Sequence, residues 1–209
     1  FQELDLVGGA DCAGQSSTGA LFADVEGDGD LDLLVNGIGT GTRLFINDGS
    51  ANFIEHGESG LARTGGGMSM AMADADQDGD LDLYVAHYRE NTWKDLPSGV
   101  TPRVVQRGNR PHALPEDRFL AIDHGPGRKP GITEVGEPDR FYINNGDGTF
   151  QHQTWTGGRF RDDKGQILDK TPRYWGLSVL FRDLNGDTLP DLLVCNDFAH
   201  GADQIWMNQ

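Results

Sequence analysis

Three stretches of the chain repeat one pattern of apolar and polar positions. Residues 21–35 read LFADVEGDGDLDLLV, residues 71–85 read AMADADQDGDLDLYV, and residues 180–194 read LFRDLNGDTLPDLLV. Each is a short apolar run, a loop with oxygen-bearing side chains on alternate residues, and a second apolar run rich in Leu and Val. Short runs bounded by Gly, Asp and Asn predict strands rather than helices. A second piece follows each: residues 43–47 are RLFIN, 140–144 are RFYIN and 204–208 are QIWMN. The first two lead into Asn47-Asp48-Gly49 and Asn144-Asn145-Gly146-Asp147-Gly148, and a further strand starts at Phe53 and at Phe150. Asn and Gly accept the positive φ of tight hairpins, so these are turn signals.

One unit is therefore strand, acidic loop, strand, connection, strand, turn, strand. Four antiparallel strands per repeat is the plan of a β-propeller blade. The expected fold is all-β, a propeller of such blades with cation-binding loops. The expected divisions are 1–19 (outer strand of a preceding blade and linker), 20–60 (blade), 61–160 (blade with an insertion at about 88–139) and 161–209 (incomplete blade). Phe1-Gln2-Glu3-Leu4 resembles Phe150-Gln151-His152-Gln153, which places the start on a fourth strand. A larger propeller of which this is part is the expectation, and closure within these residues is the alternative. Met68, Met70 and Met72 alternate with small residues, and packing of an inner strand is preferred there to a methionine-lined ligand site.

Asp24 and Asp74 are 50 residues apart, whereas Asp74 and Asp183 are 109 apart, so the second unit carries the insertion. Seven of the nine prolines lie within it. It holds about as many basic as acidic side chains, which leaves the acidic surplus to the rest of the chain. A long segment of this kind serves as a binding element or as a flap over the blade.

The net charge of −16, from 33 acidic against 17 basic residues, argues against a nucleic-acid partner. The acids are concentrated: thirteen of the 33 fall in residues 24–32, 74–82 and 183–191. Close carboxylates repel by roughly 1–4 kcal/mol per pair near a surface, which calls for a neutralising cation. Two cysteines, Cys12 and Cys195, are too few for a disulfide framework and leave their pairing undecided. No signal peptide is visible and Phe1 is not a start residue, so a processed or excised chain is expected. No apolar run approaches the ~20 residues of a membrane helix.

The first loop offers Asp24, Glu26, Asp28 and Asp32, with the carbonyl of Asp30. In the second loop the set is Asp74, Asp76, Asp78 and Asp82, with Asp80; in the third it is Asp183, Asn185, Asp187 and Asp191, with Leu189. Hard Ca²⁺ takes 6–8 oxygens, and side chains at loop positions 1, 3, 5 and 9 with a carbonyl at 7 provide them. Three Ca²⁺ sites are expected. Position 12 is Val35, Val85 and Val194, which excludes an EF-hand and a dockerin loop, both closed by an acid. Mg²⁺ fits less well, since it keeps its waters. The third site is expected to be the weakest, because Thr188 replaces the turn glycine (Gly29, Gly79) and Asn185 replaces an acid. Glu26, longer than Asp, is expected to reach its ion through water.

The pattern D-x-D-x-D-G-D-L-D-L followed by R-L-F-I-N-D-G resembles the FG-GAP/VCBS repeat of calcium-binding β-propellers, including the integrin α-subunit head. More narrowly, Tyr174-Trp175-Gly176-Leu177-Ser178, then Asp183 to Asp187 and Cys195-Asn196-Asp197-Phe198, is similar to secreted bacterial ASPIC/UnbV-type (CRTAC-like) proteins, as is Glu137-Pro138-Asp139-Arg140. The resemblance implies an extracellular propeller with calcium in the blade loops.

Gly37-Ile38-Gly39-Thr40-Gly41 lacks the Lys and the helix of a phosphate loop and reads as a strand connection. His87 and His200 each follow a second blade strand, away from the acidic loops. With Arg89, Asn196 and Asp197 they form a candidate ligand face, against ordinary loop residues as the simpler reading. The leading function is a non-enzymatic extracellular module that binds a protein or glycan, or further copies of itself, in adhesion or assembly. The alternative is a polysaccharide-active or other enzyme using that opposite face.

Overall fold

The computed structural model describes residues 9–95, 101–197 and 201–209. Every named element among them is a strand. The strand expected at residues 1–4 and the residue His200 lie outside the described residues. β1 (Ser16–Ala23), β2 (Asp32–Ile38), β3 (Gly41–Asn47) and β4 (Phe53–Glu55) form an antiparallel sheet in the order β1-β2-β3-β4. A second four-stranded sheet has the order β12-β11-β6-β5, from β5 (Gly67–Ala73), β6 (Asp82–His87), β11 (Arg140–Asn144) and β12 (Phe150–Gln153). The third sheet is β13-β14-β15, from β13 (Trp175–Arg182), β14 (Asp191–Asp197) and β15 (Gln204–Trp206). The fold is all-β and propeller-like: β5 lies against β1 and β2, and β13 lies against β5 and β6.

Between β6 and β11 the chain makes two hairpins, β7 (Arg103–Arg107) with β8 (Arg110–Leu114) and β9 (Phe119–Ile122) with β10 (Gly131–Glu134). They are tied to the second sheet by buried charge. Arg118 donates through Nε to Glu134 at 2.6 Å and through Nη2 to the Asn91 carbonyl at 2.9 Å. Arg89 donates through Nη1 to the Val135 carbonyl at 2.7 Å. The side chains of Arg118 and Glu134 are only 10% and 9% exposed, so this ion pair is poorly screened by water.

The period-2 alternation of a strand sorts the apolar residues into two layers. Leu34 and Leu44 of the first sheet meet Leu83, Val85 and Tyr142 of the second. On the other face of the second sheet, Tyr84, Ala86 and Phe141 meet Val179, Leu192 and Val194 of the third, together with Trp155 and Phe160 from the intervening loop. The outer face of the first sheet is capped by Ala10 against Val35 and Phe45. Cross-strand rows mark the faces that point toward the next sheet: Leu21–Leu34–Leu44 in the first and Ala71–Tyr84–Phe141 in the second. The same row in the third sheet is Leu180–Leu193–Ile205, and there Leu180 and Ile205 are 54% and 58% exposed.

Each first strand carries a register shift at one place, between Ser17 and Gly19, Gly67 and Ser69, and Gly176 and Ser178. An extra residue there bends the strand and reverses the facing of what precedes it. Met68 sits in this shift, so Met70 and Met72 pack against the first core layer while Met68 departs from their alternation.

Candidate metal centre

The acidic loops join the first strand of each sheet to the second. Their shape is set by two left-handed residues each, at the fourth and sixth positions. These are Gly27 (φ 72°) and Gly29 (95°), Gln77 (62°) and Gly79 (101°), and Gly186 (83°) and Thr188 (74°). Sequence reasoning identified the sixth position alone. The fourth was hidden because Gln77, an ordinary residue in the second loop, adopts the conformation that glycine takes in the other two.

The curl turns backbone N–H groups onto the first-position carboxylate. Asp24 accepts from Gly27 and Asp28 on Oδ1 and from Gly29 on Oδ2. Asp183 accepts from Gly186 on Oδ1 at 2.7 Å and from Thr188 on Oδ2 at 3.0 Å, which lowers its pKa below the usual carboxylate value. Asp74 differs. Its Oδ2 accepts from Gly79 at 3.2 Å, but its Oδ1 is buried without a hydrogen-bond partner. Ligand oxygens of Asp74, Asp76 and Asp78 lie within 4.8 Å of one another, the one such acidic group among the described residues.

The third position separates the loops. Burial first, then the charges of Asp32, Asp28 and Asp24, raise the pKa of Glu26. Asp76 faces Arg159, whose Nη2 is 3.5 Å from Oδ2, while the guanidinium carbon lies 5.7 Å from the Phe141 ring centroid. In the third loop Asn185 donates from Nδ2 to Asp187 Oδ2 at 2.8 Å, so this loop supplies its own neutral partner. Fifth-position carboxylates accept from the seventh-position N–H throughout: Asp28 from Asp30, Asp78 from Asp80 and Asp187 from Leu189.

Asp32, Asp82 and Asp191 open the second strands and are almost wholly buried, at 0%, 0% and 1% exposure. Each accepts on Oδ2 from the second-position N–H of its own loop, namely Val25, Ala75 and Leu184, at 3.0, 3.0 and 2.9 Å. On Oδ1 each accepts from a backbone N–H at the end of the third strand: from Asn47 and Asn144, the last residues of β3 and β11, and from Asn208, two residues past β15, at 2.9, 3.0 and 2.9 Å. Burial pushes the Asp82 carboxyl up to about 6, with the charges of Asp76 and Asp78 adding to the rise and the two N–H donors opposing it. No local pattern signals this double acceptance, because the donors lie 7 and up to 62 residues away.

Of the candidate ligand face, His200 lies outside the described residues, and the other four side chains are each engaged elsewhere. His87 ends β6 and is 1% exposed, with Nδ1 3.0 Å from the Val85 carbonyl, so it is part of the packing rather than of a surface. Burial, with the charge of Arg140, pulls its pKa down to about 4. Its N–H donates at 2.7 Å to Asp139, a carboxyl that burial pushes up to about 7 and that also accepts from the Tyr84 hydroxyl. Arg89 is committed to the insertion. Asn196 is held by Asp203 and Ala202, and Asp197 accepts from the Tyr88 hydroxyl. A half-open hollow of about 320 Å³ is lined by Glu137, Arg140, His152, Trp155 and Thr171 among others, and not by His87, Asn196 or Asp197. Cys12 and Cys195 are both free thiols. No helix of the described residues is long and apolar enough to cross a membrane.

No curated protein matches the chain. Residues 24–85, from the first acidic loop through the strand after the second, match the family described as FG-GAP-like repeat.

Proposed function

We propose that the chain is an extracellular, non-enzymatic binding or structural module whose sheets are held in place by Ca²⁺ in the three acidic loops. The observation that carries this reading is the second loop. Three carboxylates with oxygens within 4.8 Å repel by roughly 1–4 kcal/mol per pair, between the bulk-water and the near-surface dielectric. A buried Asp74 Oδ1 without any donor adds an unmet acceptor. A divalent, oxygen-seeking cation answers both, and Asp74, Asp76, Asp78, Asp82 and the Asp80 carbonyl would hold it. Asp24, Glu26, Asp28, Asp32 and the Asp30 carbonyl would do the same in the first loop. Asp183, Asn185, Asp187, Asp191 and the Leu189 carbonyl would do so in the third, with one charge fewer.

FG-GAP-like repeats occur in extracellular adhesion and binding domains and are generally non-enzymatic, which supports the rest of the reading. We place the protein outside the cell, nearest in type to the ASPIC/UnbV group, with a protein or glycan as partner or further copies of itself. The carboxylates serve the fold here: a cation in each loop joins two strands of one sheet at the end away from the insertion.

Calorimetric titration with Ca²⁺ tests the reading. A site occupied at a hundredfold excess over its Kd stabilises by about 2.7 kcal/mol. For a domain of this size that is a melting temperature about 5–10 °C higher per site. Chelation is expected to reverse it, and Asp78→Asn to remove one site from the isotherm. A melt unchanged by chelator would overturn the proposal.

A further inference from the structure

We propose that Asn144 and Asn208 are positioning residues that couple neighbouring acidic loops, so that a cation held in one loop favours binding in the next. This rests on the calcium reading above. It starts from the peptide at the second loop position, which lies between the first- and third-position ligands. In the first loop the Val25 carbonyl accepts from Asn144 Nδ2 at 2.9 Å, although Asn144 belongs to the second sheet. The Asn144 N–H donates to Asp82 Oδ1 at 3.0 Å, and Asp82 Oδ2 accepts from the Ala75 N–H of the second loop at 3.0 Å.

The same three bonds repeat one sheet further on. The Ala75 carbonyl accepts from Asn208 Nδ2 at 2.7 Å, and the Asn208 N–H donates to Asp191 Oδ1 at 2.9 Å. Asp191 Oδ2 then accepts from the Leu184 N–H of the third loop at 2.9 Å. Six hydrogen bonds thus run without a gap from the first loop through the second to the third. Asn144 Nδ2 also donates to the Leu81 carbonyl of its own loop at 3.3 Å, the counterpart of the bond from Asn47 Nδ2 to the Leu31 carbonyl in the first sheet, so the bond to Val25 is an additional one that crosses between sheets. Asn144, Asp82 and Asp191 are each at most 2% exposed, so water does not replace these bonds.

A cation in the second loop fixes Asp82 and the Ala75 peptide. Fixing Asp82 fixes the Asn144 N–H, and with it the amide that holds the Val25 carbonyl between two ligands of the first loop. Part of the ordering cost of the first site is then already met, which is positive coupling between sites. An Asn that merely satisfied a carbonyl would stabilise the fold without this linkage.

The test is a site-resolved calcium titration of the full chain by NMR. The amides of Gly29, Gly79 and Thr188, which donate to Asp24, Asp74 and Asp183, report one loop each. Disabling the second loop with Asp78→Asn is expected to weaken first-loop binding by about threefold or more. In an Asn144→Ala background the same disabling should leave first-loop affinity nearly unchanged. Should Asn144→Ala fail to fold, the half-buried Asn208→Ala carries the same comparison between second and third loops. Equal responses with and without the asparagine, or no response in the natural sequence, would overturn the coupling. Calcium-insensitive Gly29, Gly79 and Thr188 amides would overturn the calcium reading itself, and the coupling with it.

Discussion

Thr188 holds φ at 74°, in a region where a β-branched side chain crowds its own backbone. The cost of such a residue is about 1–2 kcal/mol. Its side chain is exposed, so Thr188→Gly loses no packing, and the N–H that donates to Asp183 is retained. Glycine widens the unfolded ensemble by about 0.4–1 kcal/mol, which opposes the gain. The calcium-saturated variant is therefore expected to be more stable by roughly 0.5–1 kcal/mol, a rise of about 1–4 °C in Tm. Where that gain appears is informative. If the cation-free loop already holds this φ, the gain is the same in chelator and in calcium. If the free loop relaxes, the gain appears as calcium affinity at the third site, about two- to fivefold, since 1.4 kcal/mol is tenfold. Urea unfolding at saturating calcium and in chelator separates the two. A Thr188→Gly protein less stable than its parent in calcium would refute the strain argument, as would a Gly29→Thr variant that loses nothing.

Charge at residue 159 should set the affinity of the second loop. A unit charge about 6 Å from a divalent ion is worth up to roughly tenfold in water, so Arg159→Met should tighten calcium by about 3- to 10-fold, Arg159→Glu further, and Arg159→Lys little. Titration of the four proteins checks this order, and no trend with charge would refute it. Replacing Glu134 by Gln leaves Arg118 and Arg89 buried beside a neutral partner and should cost about 3 kcal/mol, read as a lower melting temperature; an unchanged melt would mean that the pair does not anchor the insertion. His87 and Asp139 should give opposite pH slopes. The folded His87 pKa of about 4 lies below its usual 6.5, so its penalty grows as pH falls from about 6.5 to 4. The folded Asp139 pKa of about 7 lies above its usual 3.8, so its penalty grows as pH rises from about 4 to 7. Asp82, raised to about 6, adds its own falling slope to both variants, so the signs are read against the parent: Asp139→Asn should make the slope of stability with pH over 4–6.5 more positive, and His87→Gln should make it more negative. Urea midpoints across that range test both signs, and equal slopes would refute the assignment.

The strands of the repeated units were legible because their signals are local, whereas β7 to β10 of the insertion carry no repeat to mark them. Apolar runs of the length of residues 32–38 and 82–87, bounded by Gly and Asp, admit little else in an all-β chain. Alternation of carboxylates also identified which side chains share a loop. Long-range features were out of reach. Asn144 reads as a turn residue beside Gly146, and nothing local to it shows that its amide crosses 119 residues to the Val25 carbonyl. His87 reads as a loop histidine because it follows an apolar run, yet the strand continues through it and the next sheet covers it, with the Gly176 backbone against its own. Gln77 shows the converse difficulty: a left-handed backbone imposed by its neighbours leaves no mark on the residue type.

The row Leu180–Leu193–Ile205 has a consequence for handling the protein. Its counterparts are the seams of the molecule, whereas here the same surface meets solvent, and Met207 and Leu184 beside it are 43% and 49% exposed. Self-association through this face is expected to rise with concentration and with salts that strengthen apolar association, even though the chain carries a large negative charge. Calcium bound as proposed would sharpen the tendency, because each ion would offset two of the charges that keep copies apart. Leu193→Lys, changing the middle of that row, should raise the concentration at which the calcium-loaded protein stays monodisperse.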